Sequence, residues 1–188
     1  MSSLLESTAN TRQTLPGNFR LLRSDVPLAP TGQDIAFLLE HGVTTLIDLR
    51  SDAEVTRKPC PLAEDARFTY RHMPVTGGNA MPDSVEDVPR SYLRMVDAQM
   101  ERILRTIREA SSGVMYFCTA GKDRTGVVSA LLQREHGMSP ADIAAEYALS
   151  GENLRAMFTD FHASHPEINV EIYTPRKEYM LQFLDMLA

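Results

Sequence analysis

A cysteine and an arginine six positions apart have the types and the spacing for chemistry on an anion. Cys118 opens and Arg124 closes a short segment that reads CTAGKDR and is followed by Thr125 and Gly126. A short apolar run with β-forming side chains precedes the segment, and an apolar run of helical reach follows it. The predicted order is strand, tight loop and helix. Free backbone N–H groups and the positive dipole end at the start of a helix form an anion site.

The residue types of this loop suit the transfer of a phosphate group. A cysteine attacks phosphorus only as the thiolate, which the start of a helix favours. The planar guanidinium of Arg124 offers donors to two phosphate oxygens, and Lys122 adds positive charge for an oxyanion-rich transition state. Thr125 can donate its hydroxyl to the sulfur when the thiolate leaves. The predicted phosphate-binding residues are Thr119, Ala120, Gly121, Lys122, Asp123 and Thr125.

The whole string CTAGKDRTG, set between a predicted strand and a predicted helix, resembles the signature loop of the cysteine-dependent phosphatases, the protein tyrosine phosphatase superfamily. It is most similar to the atypical bacterial group with the loop HCxxGKDRTG, whose members act on phosphotyrosine, phosphoserine and phosphothreonine, or phosphoinositides. The tetrapeptide DLRS at residues 48–51, with Glu54 three residues later, also matches this group. The alternative for Cys118 alone is a small buried thiol before a glycine turn.

The resemblance implies a protein tyrosine or dual-specificity phosphatase of the bacterial cytoplasm that works through a phosphocysteine at Cys118. No cofactor and no metal ion are expected, because the loop itself supplies the positive charge. The expected substrate is a phosphorylated protein, a phosphoinositide or another small phosphomonoester.

Two alternatives to this function stay open. The group places His before the nucleophile, where it organises the loop and favours the thiolate, and this chain has Phe117. Phe117 therefore predicts lower activity at neutral pH and leaves room for a phosphate-binding module without turnover. A sulfurtransferase, which also uses a cysteine loop at a helix start, ranks last because its loop is less often closed by Arg-Thr-Gly.

Three carboxylates compete for the role of general acid. Asp48 follows a strand that should end at the site, and the resemblance favours it. Asp83 lies in the polar loop 76–87, which is like the mobile acid loop of the wider superfamily. Asp123 lies inside the cysteine loop, where its other role would be to brace the loop. We favour Asp48, whose alternative role is a cap or a salt bridge to Arg50.

Strands that alternate with helices predict a single α/β domain with a central, mainly parallel sheet of four to five strands flanked by helices, as in the cysteine phosphatases. The predicted strands lie near Phe19, Leu46, Tyr70 and Tyr116. The site is expected at the carboxyl edge of this sheet. Apolar residues at helical spacing predict one long helix from about Pro89 to Ala110.

The start of the chain is polar and rich in small residues, so residues 1–15 are expected to form a flexible arm and residues 16–188 the catalytic domain. In the resembling group, a segment with Asn-Phe-Arg leads into the first strand, and a later Arg-Ser lies near the substrate. Here Asn-Phe-Arg at residues 18–20 and Arg-Ser at residues 23–24 are closely spaced. A hairpin of longer relatives is therefore expected to be missing.

Composition limits the partners. The net charge of −6 disfavours a general nucleic-acid binder, which would more often be basic. The two cysteines, Cys60 and Cys118, imply no disulfide framework, and Cys60 is expected to be structural. No apolar run approaches membrane-spanning length. The sequence does not predict an oligomeric state.

Overall fold

A five-stranded sheet runs through the middle of the protein in the computed structural model, which describes residues 3–187. The strands are β1 (Arg12–Gln13), β2 (Leu21–Asp25), β3 (Val43–Asp48), β4 (Thr69–His72) and β5 (Gly113–Cys118). Their order across the sheet is β1-β2-β5-β3-β4. The last four are mutually parallel, and β1 pairs antiparallel with β2. The prediction of a mainly parallel sheet in an α/β fold is confirmed.

Helices flank this sheet within the described residues. They are α1 (Gly32–Glu40), α2 (Asp52–Arg57), α3 (Asp87–Leu93), α4 (Ala98–Arg108), α5 (Asp123–Glu135), α6 (Pro140–Asn153), α7 (Arg155–Ser164), α8 (Val170–Tyr173) and α9 (Lys177–Asp185), with a 3-10 turn at Pro61–Glu64. None of them has both the length and the apolar composition needed to cross a lipid bilayer.

Successive residues of the central strands pack on opposite faces of the sheet. On β5, Tyr116 and Cys118 join one buried cluster with residues of α3, α4, α5, α6 and α9, and Met115 and Phe117 join another with residues of α1. All six residues of β5 are buried, as expected for a parallel strand covered on both faces. The sulfur of Cys118 and the ring of Phe117 therefore leave the strand on different faces.

The predicted long helix is two helices, so the prediction of one helix from Pro89 to Ala110 is wrong. Helix α3 ends at Leu93, and α4 begins after Asp97, whose carboxylate accepts a hydrogen bond of 2.9 Å from the N–H of Met100. This side chain starts a new helix as an N-cap. Val96, which the helical spacing places in the core, is exposed in the connection.

The prediction of a flexible arm at residues 1–15 is wrong for the described part, residues 3–15; residues 1–2 lie outside the described residues. Leu5, Asn10, Arg12 and Thr14 are buried, and residues 12–13 form β1 against β2. A short hairpin is thus present where none was expected. The polar residues that make this segment look loose are the ones that form its buried hydrogen bonds.

The strand predicted near Phe19 follows that residue in the chain. Phe19 is exposed in a turn, and β2 starts at Leu21. The other three predicted strands are found around Leu46, Tyr70 and Tyr116.

Candidate active site

The cysteine loop connects the central strand β5 to helix α5 at the carboxyl edge of the sheet, as predicted. Cys118 is the last residue of β5 and is 3% exposed, and its strand neighbour in register is Asp25 of β2. Gly121 has φ = 65°, and a Cβ there would lie 2.5 Å from backbone atoms of Ser24 and Asp25. Only glycine fits a loop that turns this tightly against β2.

The side chains of Asn10 and Arg23 hold the outer side of the loop. The Asn10 amide nitrogen donates to the carbonyl oxygens of Ala120 at 3.1 Å and Gly121 at 3.0 Å. Nη2 of Arg23 donates to the Gly121 carbonyl at 3.0 Å. In a trans peptide the N–H points away from the C=O, so the N–H groups of Gly121 and Lys122 point to the opposite side.

The loop amides are free to bind an anion. None of the N–H groups of residues 119–122 donates to another group within residues 3–187. Buried or constrained backbone N–H groups normally have an acceptor. Four successive N–H groups without an acceptor among residues 3–187 are therefore typical of an anion site. The hydroxyl of Thr125 is likewise buried without a hydrogen-bond partner in the described part of the chain, which suits a donor to the Cys118 sulfur.

A buried charge network stands behind Asn10. Arg12 and Arg23 bind the two carboxylate oxygens of Glu146 on α6 at 2.6 and 2.5 Å. Arg12 also donates to the side-chain oxygen of Asn10, and Ser150 bonds to both residues. Burial, with the nearby charge of Arg23, lowers the pKa of Arg12 to about 10. Through this network β1, β2 and α6 together fix the position of the loop.

Glu54 orients the guanidinium that closes the loop. Its two carboxylate oxygens accept from Nη1 of Arg124 at 2.6 Å and from Nη2 at 2.8 Å, and the hydroxyl of Thr119 donates to it at 2.5 Å. The hydrogen bonds from Arg124 hold the pKa of Glu54 well below its usual range. Ser51 caps α2 and fixes the same carboxylate by its N–H at 2.9 Å. The DLRS…E pattern and the cysteine loop therefore meet at Arg124.

The structure does not support the prediction of Asp48 as general acid, because Asp48 is not placed to protonate a leaving group. Asp48 pairs in register with Phe117, so its side chain lies on the face opposite Cys118. It is fully buried, and its oxygens accept from Arg50 at 2.6 to 3.2 Å and from the Tyr70 hydroxyl at 2.8 Å. Asp48 forms the salt bridge to Arg50 that was its alternative role.

The other two candidate acids, Asp123 and Asp83, differ in their contacts and exposure. Asp123 accepts a hydrogen bond of 2.6 Å from the hydroxyl of Tyr92 and lies 3.3 Å from the Lys122 ammonium, so it braces the start of α5. Asp83 is exposed in the loop before α3. The same loop packs on Arg124, because Asn79 accepts from its Nη1 at 3.3 Å. Asp83 is thus an unburied acid on a segment that contacts the site.

The Lys122 side chain turns away from the loop toward α8. Its ammonium donates to the carbonyl of Tyr173 at 2.5 Å and lies 5.6 Å from the centre of the Phe158 ring. The loop of Asn79 and the residues near Tyr173 enclose a cavity of about 190 Å³ beside Lys122. The predicted use of this ammonium on the phosphate is therefore not supported, although the backbone of Lys122 belongs to the loop.

Phe117 and Cys60 lie together on the other face of the sheet. Phe117 is fully buried there, 6.0 Å from the guanidinium carbon of Arg50. Burial raises the pKa of the Cys60 thiol to about 11, as expected for a structural cysteine. Within residues 3–187, no three His, Cys, Asp or Glu side chains come together as metal ligands.

Sequence reasoning missed Asn10, Arg12 and Tyr92 as supports of the loop. Their sequence signal is weak, because Asn10 and Arg12 lie in a polar segment more than 100 positions from the loop. Asn10 binds the loop carbonyls directly, and Arg12 binds Asn10 and Glu146. Asn18, Phe19 and Arg20 are exposed.

Sequence comparison places the chain among known proteins. Residues 7–188 match the family described as the tyrosine phosphatase family. A tyrosine-protein phosphatase of Nostoc commune is 33% identical over 140 residues, which make up 69% of this chain and 48% of that protein. A protein of Cupriavidus necator is 32% identical over 151 residues, 71% of this chain and 54% of that one. The chain spans about half the length of the curated relatives it matches.

Solved structures resemble the chain only weakly. TpbA of P. aeruginosa is 18% identical with a TM-score of 0.46, covering 100% of this chain and 96% of that one. A human tyrosine phosphatase-like serine/threonine/tyrosine-interacting protein is 17% identical with a TM-score of 0.48, covering 94% and 95%. The family of the chain is given by the match over residues 7–188 and not by these structures. By that match, the chain belongs to the tyrosine phosphatase family.

Proposed function

We propose that the protein hydrolyses phosphomonoesters through a phosphocysteine at Cys118, with phosphotyrosine or phosphoserine proteins or phosphoinositides as substrates. One observation carries the proposal: the loop that follows Cys118 has amides without an acceptor among residues 3–187, and it ends in Arg124, whose charge interacts with Cys118. These donors suit the three non-bridging oxygens of a phosphate. Membership of the tyrosine phosphatase family supports the same reaction class.

In the first step, the Cys118 thiolate attacks phosphorus in line with the leaving oxygen. The S–P bond forms while the bond from phosphorus to the leaving oxygen breaks, and a general acid gives that oxygen a proton. The loop amides and Arg124 hold the non-bridging oxygens during this transfer. Glu54 keeps the guanidinium in place throughout, because it accepts from both terminal nitrogens.

In the second step, water attacks the phosphocysteine, and the S–P bond breaks. Inorganic phosphate leaves, and the sulfur returns as a thiolate that the hydroxyl of Thr125 stabilises. The group that gave its proton in the first step now takes one from water.

Asp83 is the proposed general acid in place of Asp48. It is exposed, and its loop reaches Arg124 through Asn79. A loop that packs on the site can bring a carboxyl group to the leaving oxygen when substrate binds. Asp123 keeps its bracing role with Tyr92.

Hydrolysis of p-nitrophenyl phosphate without metal, between pH 5 and 8, tests the proposed function. Wild type should turn over and Cys118→Ser should not, while orthovanadate should inhibit the wild type. The substrate is small and has a good leaving group, so the result does not depend on the general acid or on recognition of a protein. Turnover that survives in Cys118→Ser would contradict the proposal.

A phosphate-binding module without turnover is the second candidate, and Phe117 favours it. Its ring fills an apolar site on the face away from Cys118, so it supplies no polar group to the loop. This function predicts no hydrolysis in the same assay, together with a rise in Tm when phosphate or orthovanadate is added. Hydrolysis that depends on Cys118 would exclude it.

A further inference from the structure

A second cavity opens beside the cysteine loop, on the side of α2. Its volume is about 250 Å³, and its wall includes Thr119, the exposed residue that directly follows Cys118. A water molecule occupies about 30 Å³ of liquid volume, so the cavity can hold a side chain with its hydration. Glu54, which binds Arg124, also lines the cavity, so the cavity adjoins the proposed phosphate site.

Most charged groups in this cavity already have partners. The carboxylate of Asp25 accepts the N–H groups of Ala9 at 3.0 Å and Asn10 at 2.9 Å. Glu54 is bound by Arg124, and the buried guanidinium of Arg50 is bound by its own carboxylate partner on β3. Arg50 and Glu54 are thus neutralised by their ion-pair partners, whereas Asp25 keeps its negative charge, because its partners are neutral N–H groups.

The remaining two charges in the cavity wall are cations. Arg57 ends α2 and Lys58 follows it, and both are exposed. Neither side chain forms an ion pair with a carboxylate in the part of the chain from residue 3 to residue 187. Exposed Leu28 adds an apolar wall to the same cavity. The cavity therefore offers two free positive charges next to an aliphatic surface.

We propose that this cavity binds an acidic side chain next to the phosphotyrosine of a protein substrate, through Arg57 and Lys58. The inference rests on the proposed function and names its substrate class: peptides with Asp or Glu beside the phosphorylated residue. An acidic side chain carries the negative charge that can pair with these two cations. Its short aliphatic stem can contact Leu28. The family assignment favours a peptide over other anionic substrates.

The expected effect is moderate, because Arg57 and Lys58 are exposed to solvent. Two such contacts should together change affinity by about threefold to tenfold. The preference should also weaken at high salt, since the screening length falls from about 10 Å at 0.1 M salt to about 3 Å at 1 M.

Peptide affinity in a Cys118→Ser background tests the proposal without the need for turnover. The probes are phosphotyrosyl peptides that differ only in Glu, Ala or Lys on either side of the phosphotyrosine, with p-nitrophenyl phosphate as the substrate for kinetics. Glu peptides should bind about threefold to tenfold more tightly than Ala peptides, and Lys peptides more weakly. In the Cys118→Ser background, Arg57→Gln/Lys58→Gln should abolish this order. In the enzyme that retains Cys118, the same double substitution should leave hydrolysis of p-nitrophenyl phosphate unchanged.

The matched control is Arg102→Gln/Arg105→Gln, which removes two exposed cations of α4 that do not line the cavity. It should keep the preference for Glu. The proposal is overturned if affinity does not depend on the flanking residue, or if the double variant at residues 57 and 58 keeps the same order. It is also overturned if the double substitution at residues 57 and 58 weakens binding to vesicles with a bisphosphorylated lipid headgroup but does not change binding to the peptides. That outcome would assign the cavity to a lipid.

The proposed function fails in a different way. If wild type does not hydrolyse p-nitrophenyl phosphate but Glu peptides still bind more tightly through residues 57 and 58, the cavity assignment stands and the catalytic proposal falls.

Discussion

At the scale of single residues, the N–H donors of Arg124 fall into two groups, one bound by protein acceptors and one available to a ligand. A guanidinium has five N–H donors. Glu54 takes one from each terminal nitrogen, and Asn79 accepts a second from Nη1. Among residues 3–187 the donors of Arg124 without an acceptor are Nε–H and one N–H of Nη2, which lie side by side and match two oxygens of a phosphate. Glu54 thus orients Arg124 without using the edge that a phosphate needs.

The pH dependence of stability should report the Glu54–Arg124 pair. The pKa of folded Glu54 lies below that of an unfolded glutamate, about 4.3. Its contribution is therefore complete above the unfolded pKa and is lost as pH falls below it toward the folded pKa. Glu54→Gln should lower Tm at pH 7, and the gap from wild type should shrink below about pH 4. Thermal melts from pH 3 to 7 measure this.

The control for these melts is Glu40→Gln, which changes an exposed glutamate of α1. It should show no gap of this kind. If the difference in Tm between Glu54→Gln and wild type is the same at pH 3 and pH 7, the ionised Glu54–Arg124 pair does not cause that difference.

The assignment of the general acid predicts a dependence on the leaving group. Asp83→Asn should reduce hydrolysis of a poor leaving group, such as phenyl phosphate, by about 10²- to 10⁴-fold. It should change hydrolysis of p-nitrophenyl phosphate far less, because that leaving group needs little protonation. Steady-state kinetics on both substrates measure the difference.

Asp48→Asn is the matched comparison. It removes half of a buried ion pair, so it should lower the stability of the protein by about 3 to 5 kcal/mol. Both substrates should then be affected alike. If Asp48→Asn, and not Asp83→Asn, selectively impairs the poor leaving group, Asp48 is the acid and the fold must rearrange to expose it.

At the scale of elements, the register of the sheet explains which residues reach the site. Asp48 and Phe117 are neighbours on one face, and Asp25 and Cys118 are neighbours at the next position along β5. Because side chains alternate along a strand, a shift of one residue places the buried carboxylate of Asp48 on one face and the sulfur of Cys118 on the other. A sequence pattern gives the residue types at a strand end but not which face they take.

The N-terminal segment acts as a brace for the cysteine loop, and Asn10 tests this. Asn10→Ala removes the hydrogen bonds to Ala120 and Gly121 and leaves the partner groups of a buried network unsatisfied. Such a loss costs about 1 to 3 kcal/mol of stability. Because the loop amides lose their fixed direction, kcat/KM for p-nitrophenyl phosphate should fall by about tenfold or more.

Asn18→Ala serves as the matched control for Asn10, since Asn18 is exposed in the turn before β2. Its kcat/KM and Tm should stay near those of wild type. If Asn10→Ala lowers Tm but leaves kcat/KM unchanged, the segment stabilises the fold without setting the geometry of the loop.

At the scale of the whole molecule, patterns local in sequence were predictable and contacts between distant segments were not. The loop around Cys118, the parallel sheet and the DLRS…E segment each follow from short stretches with clear types and spacing. The partners of Asn10 and Glu54 depend on how the chain brings those stretches together. The same limit explains the wrong prediction at residues 1–15, where composition suggests disorder and tertiary hydrogen bonds decide otherwise.

The net charge of the whole molecule and the partial charge of the helix dipole at the candidate site have opposite signs. The chain carries a net charge of −6, yet the loop amides and the start of α5 provide N–H donors and the positive end of a helix dipole at one edge of the sheet. An acidic protein can therefore bind a phosphate group at one place. The exposed cations Arg57 and Lys58 lie in the wall of the cavity that includes Thr119.

Trapping the phosphocysteine tests the central proposal most directly. Wild type and Cys118→Ser are mixed with p-nitrophenyl phosphate, quenched in acid within milliseconds, and digested for mass spectrometry. We expect wild type to carry phosphate on the peptide that contains Cys118, with an amount that rises and then reaches a steady level during turnover. Turnover by wild type without any phosphate on that peptide would contradict the account, because hydrolysis would then proceed without the proposed covalent intermediate.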